Sequence, residues 1–292
     1  MQWHNQGGNA INIVEKRNYF RKFKCEVLTS RSENKDLISE FISRKEDNSL
    51  ESYIKDEDKA WTEDLDGETR VYLVKDESGK IALFFSMKCG LLVGENMDEK
   101  LSDEHQEFVD AVIEVKRQRN DLAVRQMYEA GNAMYGEEIE RLFEIAEHRL
   151  ETKMESIEIG QSDNTINVPN CISAIELRHL CKNEAYTVPK EVGIPLGFGL
   201  FWEIIVPVIL NVTSQVGCKY IYLFAADKTN GQGESEMRKL ISHYKNNFKF
   251  SECDEGIKLV KPEYDNHCYG LIQNVSKLEL NREAIWHEFS DI

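Results

Sequence analysis

Apolar positions along the chain follow two alternating periods. Phe23–Thr29 alternates as a first strand does, whereas Leu37, Ile38, Phe41 and Ile42 recur at helical spacing within Asn34–Arg44. Leu50, Tyr53, Ile54 and Trp61 continue that spacing over Ser49–Asp64. The period then returns to two. Arg70–Lys75 and Lys80–Lys88 are β-branched and aromatic runs separated by Asp76-Glu77-Ser78-Gly79, which predicts a β-hairpin. From Glu95 to Glu158 the pattern is helical again. Phe108, Val109, Val112 and Ile113 form one stripe, and Ile139, Leu142, Phe143, Ala146 and Leu150 form another. Gly131 and Gly136 are expected to flank the turn of this helical hairpin.

The second half reads as alternating strand and helix. Ile172–Lys182 is a strand, and Thr187–Gly199 is a loop with two prolines and three glycines. Leu200–Gln215 is an apolar helix, expected to bend at Pro207. Lys219–Ala226 is an apolar strand. Gly233–Asn247 is a helix with Met237, Leu240, Ile241 and Tyr244 on one side. Phe248–Ser251 and His267–Ile272 close with more strand. The class is α/β of mixed α+β character, and a right-handed crossover makes the two central strands parallel neighbours.

Charge narrows the field. The 292 residues carry 36 Lys and Arg against 52 Asp and Glu, a formal net charge of −16. Residues 95–158 hold 18 acidic and 8 basic residues, which is −10 of that total. The bland reading is a solvated helix face, and the sharper one is a lid or docking surface for a basic partner. Nucleic acid is an unlikely partner for so acidic a chain. Seven cysteines at wide spacing, with no C-x-x-C, argue against a disulfide framework or a zinc ribbon. The first residues show no signal-peptide pattern. The longest apolar run, Gly197–Val212, falls short of the ~20 residues a membrane span needs. The expectation is a soluble, cytoplasmic protein without a membrane or metal site.

Candidate chemistry concentrates at Ile194-Pro195-Leu196-Gly197-Phe198-Gly199, between a strand and an apolar helix. Glycines allow a tight turn and close approach, and the helix N-terminus offers amides and partial positive charge to a pyrophosphate. It is no Rossmann fingerprint, because the third glycine is missing, and no P-loop, because no Gly-Lys-Ser/Thr follows. A Gly-x-Ser-x-Gly elbow is absent. His267 and Cys268 are adjacent, so they face opposite sides of a strand, and a metal there needs two further ligands.

The order of elements resembles that of the GNAT superfamily of acetyl-CoA-dependent N-acetyltransferases. The stretches carrying the resemblance are Ala174–Tyr186, like the family's fourth strand and its exit, Tyr220–Asp227, like the fifth, and Leu240–Phe250, like the last helix and its ending. The fifth strand and the hairpin are also similar to the family's toxin-like and small bacterial branches. Those relatives that act on aminoacyl-tRNA are expected to carry a basic face, which this composition does not advertise. The resemblance covers about 23–92 and 168–273. It implies one GNAT-like domain over 1–292, a central twisted mixed β-sheet flanked by helices, and an inserted helical hairpin at about 95–158.

The resemblance further implies that the fourth and fifth strands splay and that acetyl-CoA, as co-substrate, lies in the gap. Leu180, Cys181 and Lys182 would hold the thioester and pantetheine, and the amides of Leu196, Gly197, Phe198, Gly199 and Leu200 the pyrophosphate. Tyr244 matches the family's general-acid tyrosine, with core packing beside Phe248 and Phe250 as the plain alternative. Glu176 matches a general base carried by some relatives, with an exposed strand residue as its plain alternative. His179, three residues on, is expected on the opposite strand face and reads as a satisfied core or groove histidine. The sequence departs from the family's loop at Ile194, where a polar residue is usual, and at Pro195, which has no N–H. The acidity favours a cationic acceptor amine, such as a polyamine, an aminoglycoside-like molecule or a Lys-rich peptide. The alternative is a catalytically degenerate binding or regulatory module that docks through the acidic insertion, as a homodimer or with a protein partner.

Overall fold

The structure, a computed structural model, describes residues 12–43, 49–94, 101–158, 171–226, 233–253, 257–260 and 268–288. The chain falls into two compact units, one of residues 1–92, 172–254 and 259–292, the other of 93–171 and 255–258. In chain order the elements are α1 (Ile13–Arg21), β1 (Lys24–Val27), α2 (Asn34–Ser39), α3 (Ser49–Lys55), α4 (Thr62–Leu65), β2 (Arg70–Lys75) and β3 (Ile81–Gly94). Then follow α5 (Asp103–Arg117), α6 (Asp121–Tyr135), α7 (Ile139–Glu158), β4 (Cys171–Lys182), α8 (Leu196–Leu200), α9 (Val206–Gln215) and β5 (Tyr220–Ala225). The chain closes with α10 (Gly233–Phe248), β6 (Ile257–Leu259), β7 (Tyr269–Asn274) and α11 (Leu278–Glu288). The strand order is β1-β2-β3-β4-β5-β7, with β6 beside β3, giving a mixed seven-stranded sheet flanked by helices.

The β2–β3 hairpin forms as the alternation predicts, with Arg70 opposite Met87 and Lys75 opposite Ile81. Asp76 closes its turn by accepting from the amides of Ser78 and Lys80. The hairpin is buried on both faces. Leu83, Phe85 and Met87 join Ile175, Leu177, Ile221 and Leu223 in one core beneath α8 and α9. Val71, Leu73 and Phe84 join Leu28, Ile38, Phe41 and Ile54 in a second core beneath α2 to α4. β4 and β5 are parallel neighbours, as expected of strands joined by a crossover through α8 and α9.

α1 was not among the elements the apolar pattern predicts, and two expectations from the sequence need correction. Asn12 caps α1 in a reciprocal capping box with Glu15, and Phe20 is fully buried. Phe248–Ser251 makes only a single bridge, Ser251 to Ile272, because Lys249 has a positive φ of 58° that breaks the extended run. The apolar helix does not begin at Leu200. It runs without interruption from Leu196 to Gln215, 20 residues and long and apolar enough to cross a membrane by length and composition alone. Its sheet-facing residues, Leu200, Phe201, Trp202, Ile205, Val206 and Ile209, are buried in the first core instead. The irregularity expected at Pro207 lies just before it, as a π-turn over Phe201–Ile205. Pro207 has no N–H to return to the fourth carbonyl back, so the turn there widens.

Among the described residues the second unit contains three helices where two were expected. Ser102 and Asn120 cap α5 and α6 by accepting from the amides of His105 and Ala123. Gly131 sits inside α6 and not at its end. A side chain there would strike Ile139 and Phe108, so the glycine permits close packing. Gly136, at φ 57°, does end α6. Val109, Val112 and Ile113 of α5 pack on Leu142, Ile145 and Ala146 of α7.

A buried carboxylate ties both ends of the chain to the apolar helix. Glu203, inside the π-turn, accepts from Arg17 and Arg21 of α1 at 2.8 and 2.7 Å and from Arg282 of α11 at 2.8 Å. Arg17 also grips Glu283 with both of its terminal nitrogens and lies over the Trp286 ring. Burial alone pushes the Glu203 carboxyl up. The hydrogen bonds from Arg282 and Arg21 reverse this and hold it below the usual carboxylate range. A carboxyl lowered on folding stabilises the native state above its unfolded value of about 4.3, and the contribution disappears as pH falls through the folded value. Glu203→Gln is expected to cost about 3 kcal/mol or more at pH 7, because three guanidiniums lose their counter-charge. Thermal melts at pH 7 and below pH 4 check this, and the difference from wild type should shrink at the acid end.

Candidate active site

β4 and β5 pair only over Ala174–Glu176 against Tyr220–Tyr222. β4 continues to Lys182 and β5 to Ala225, so the two strands part beyond Glu176 and Tyr222. β4 also changes face. Ile175 and Leu177 belong to the first core and Leu180 packs against it, yet Cys181 belongs to the second. Residues of equal parity share a face in a regular strand, so the alternation slips between Leu177 and Leu180, as at a β-bulge. His179 is therefore not opposite Glu176, as strand periodicity implied. Its ring lies tilted against Tyr53, with centroids 4.1 Å apart, and bonds Ser86 at 2.8 Å. Its neighbour Arg178 turns to the same region, reaching Glu63 at 3.5 Å and Thr69 at 3.1 Å. Glu63 in turn accepts from the Tyr53 hydroxyl at 2.9 Å.

Asn183 secures the exit of β4, a role the sequence did not single out. Its amide nitrogen donates to the Ile81 carbonyl at 2.8 Å, and its Oδ1 accepts from Ile42 and Ala185 at 3.2 and 3.0 Å. Its backbone N–H reaches the Ala82 carbonyl at 2.8 Å. Nothing in a lone strand-end Asn distinguishes such a hub from a turn residue. Just before it, Leu180 is half-buried, Cys181 is buried, and Lys182 pairs with Glu184 at 3.1 Å. Burial, with the charges of Glu51 and Glu184, pushes the Cys181 thiol up to about 12, so it stays a neutral thiol.

Pro195 stands at the N-cap of α8 without a side-chain cap, so the expected loop glycines lie in the first helical turn. Gly199 gives its amide to the Pro195 carbonyl at 3.1 Å, and Leu200 is claimed by the helix ladder. The first-turn amides of Leu196 and Gly197 have no such partner within the helix. The two glycines differ further. A side chain at Gly199 would strike the Phe20 ring, whereas one at Gly197 would meet open space. Gly199 thus serves packing against α1, whereas the backbone at Gly197 is open on its Cα side. Ile194 is buried in the first core, which explains an apolar residue where the family's loop is polar. These features fit a phosphate group of acetyl-CoA at Leu196 and Gly197.

Glu176 and Tyr244 stand in different surroundings. Glu176 sits at the last paired position of β4, with the Tyr222 hydroxyl 3.5 Å away. Tyr222 reaches across to Gly90 of β3, where any side chain would collide with its phenol. Burial raises the Glu176 carboxyl above the usual carboxylate range, against the opposing charges of Arg178 and Lys88. A raised carboxylate is a stronger base. Tyr244 is half-buried on α10, edge-on to Phe250 at 6.2 Å and tilted against Phe248 at 5.8 Å. Burial, with Cys181 acting on it across the β4 exit, pushes its phenol up to about 12, so it keeps its proton at neutral pH. Among the described residues no three His, Cys, Asp or Glu side chains come together as a metal site, and His267 lies outside them.

The two glycines give opposite expectations. Gly197→Ala should raise stability by about 0.5–1 kcal/mol, the ordinary helix gain, while weakening acetyl-CoA binding. Gly199→Ala should cost about 1–3 kcal/mol through overpacking against Phe20. Melting curves and calorimetric titration of both variants separate the two roles.

No family model matches the chain, and no curated protein matches it. Among solved structures it is similar to a mutant AtaT toxin, at TM-score 0.45 and 11% identity over 89% of this chain and 94% of that one. It is similar to AtaT complexed with acetyl-methionyl-tRNAfMet, at 0.44 and 11% over 89% and 98%. A mutant of KacT gives 0.44 and 11% over 89% and 99%. Likenesses this slight assign nothing to this chain. Its own mixed sheet flanked by helices and its parallel β4–β5 pair agree with the fold class expected from the sequence.

Proposed function

We propose that this protein is an acetyl-CoA-dependent N-acetyltransferase. The observation that carries the reading is the parting of β4 and β5 beyond Glu176 and Tyr222, in the middle of an otherwise continuous sheet. The gap opens between strands whose outer edges are held, β4 through Asn183 and β5 through its full ladder with β7. Acetyl-CoA, when bound, supplies an acetyl group activated as a thioester. Backbone groups at Leu180, Cys181 and Lys182 border the gap and would hold the pantetheine arm by strand-like hydrogen bonds. The Leu196 and Gly197 amides would take a phosphate.

Glu176 takes the proton that the acceptor amine must lose, directly or through one water, as its nitrogen bonds to the acetyl carbon. Its raised carboxyl makes it a stronger base than an ordinary carboxylate. The carbon–sulfur bond breaks, and Tyr244 gives its phenolic proton to the departing sulfur. The acceptor is an amine. The acidity that suggested a cationic acceptor is concentrated in residues 95–158, whereas the charges acting on Glu176 are those of Arg178 and Lys88. Two of the similar structures are described as AtaT with acetyl-methionyl-tRNAfMet and as a KacTA–DNA complex. The expectation against nucleic acid rests on net charge alone, so amines borne on nucleic acid belong in an acceptor screen.

Free-thiol release from acetyl-CoA with a panel of amines tests the reading. Turnover in the wild type is expected to fall about 10²–10⁴-fold in Tyr244→Phe, with the melting temperature little changed. Unchanged turnover removes the acid role from Tyr244. A protein that binds neither acetyl-CoA nor CoA overturns the enzyme reading and leaves the degenerate module, docking through its acidic helices.

A further inference from the structure

Ser86, Lys88 and Gly90 of β3 share one face of the sheet, since strand residues alternate. That face is covered by α2 to α4 as far as Ser86, which bonds His179 beneath Tyr53. Two residues on, Lys88 is exposed. Two further, Gly90 lies under the Tyr222 phenol, which is 3.5 Å from the Glu176 carboxylate. Lys88 and Glu176 therefore occupy adjoining strands and the same face. Among the described residues two other cations of this face each have a carboxylate: Lys75 with Glu26 at 2.5 Å and Arg178 with Glu63 at 3.5 Å. Lys88 makes no ion pair within 4 Å among the described residues.

We propose that Lys88 selects the acceptor: the substrate is a primary amine that also carries a carboxylate or phosphate, the amine meeting Glu176 and the anion meeting the Lys88 ammonium. This rests on the N-acetyltransferase reading and names its substrate class. The charge of the whole chain points toward cationic acceptors, but screening confines such fields to about a Debye length, roughly 8–10 Å. Lys88 acts at closer range, on a face where Lys75 and Arg178 are each paired with a carboxylate. A single ammonium on a flexible stem serves a carboxylate or a phosphate alike, without the fixed fork of an arginine.

The test compares kcat/KM for matched pairs, β-alanine against propylamine and phosphoethanolamine against ethanolamine, with spermidine as the cationic contrast. The expected result is a preference for the anionic partner of each pair of at least about tenfold. In Lys88→Met that preference falls to near unity, and a larger effect on one pair tells carboxylate from phosphate. Lys88 is exposed, so the variant should fold as the wild type does. Preference for propylamine, ethanolamine or spermidine overturns the proposal, as does a preference that survives in Lys88→Met. Binding of acetyl-CoA with transfer to none of the anionic amines overturns it and leaves the cofactor site standing. Absence of acetyl-CoA binding overturns the reading on which it rests.

Discussion

Two neighbouring parallel strands that stop pairing inside a sheet impose a constraint on everything around them. Beyond Glu176 and Tyr222 the facing edges of β4 and β5 lose their common ladder, and backbone polar groups inside a protein need partners. The gap cannot close by itself. The slip in β4 between Leu177 and Leu180 redirects its edge, Asn183 fixes its far end to β3 and to Ile42, and β7 holds β5 along its whole length. The residues proposed for chemistry are arranged around that opening. Glu176 marks where the strands part, and Tyr244 approaches from α10 toward Cys181.

The second requirement is a fixed helix turn between β4 and β5 in the chain. α8 is a single turn with no side-chain cap, and on its own it would fray. It is held because the same helix continues through the π-turn, where Glu203 gathers Arg17, Arg21 and Arg282. Phe20 then seats against Gly199, and Phe198 packs edge-on to Trp286 at 6.1 Å. The first and last helices of this unit thus act together on the short turn that presents Leu196 and Gly197. An ion cluster of this kind need not add stability over an apolar core, but it fixes one arrangement of the three helices.

Much of this was legible in the sequence, and the remainder has identifiable reasons. Strands and helices with a clean period, such as Arg70–Lys75 or Tyr220–Ala225, were readable because burial repeats with the backbone geometry. α1 was not, because Arg17 and Arg21 look like a basic tail until a carboxylate 182 and more residues away is brought to them. Gly131 and Gly199 read as turn or loop glycines. Each is a packing glycine whose partners, Ile139 and Phe108 or Phe20, are set by tertiary structure. The face of His179 was misjudged because a slipped strand breaks the parity rule without leaving a mark in composition. Lys88 and Tyr222 passed unnoticed for a similar reason. One looks like a strand-end lysine and the other like a core aromatic until Gly90 places them beside Glu176.

The central claim is that the parted strands and the first turn of α8 form one acetyl-CoA site. Hydrogen exchange of the backbone amides, followed by mass spectrometry with and without acetyl-CoA, reads that claim most directly. Slowed exchange is expected in the peptides covering Leu180–Lys182 and Leu196–Gly197, with β1 and β2 unaffected. Exchange unaltered in both peptides at saturating ligand, or altered only outside unit residues 172–254, would contradict it.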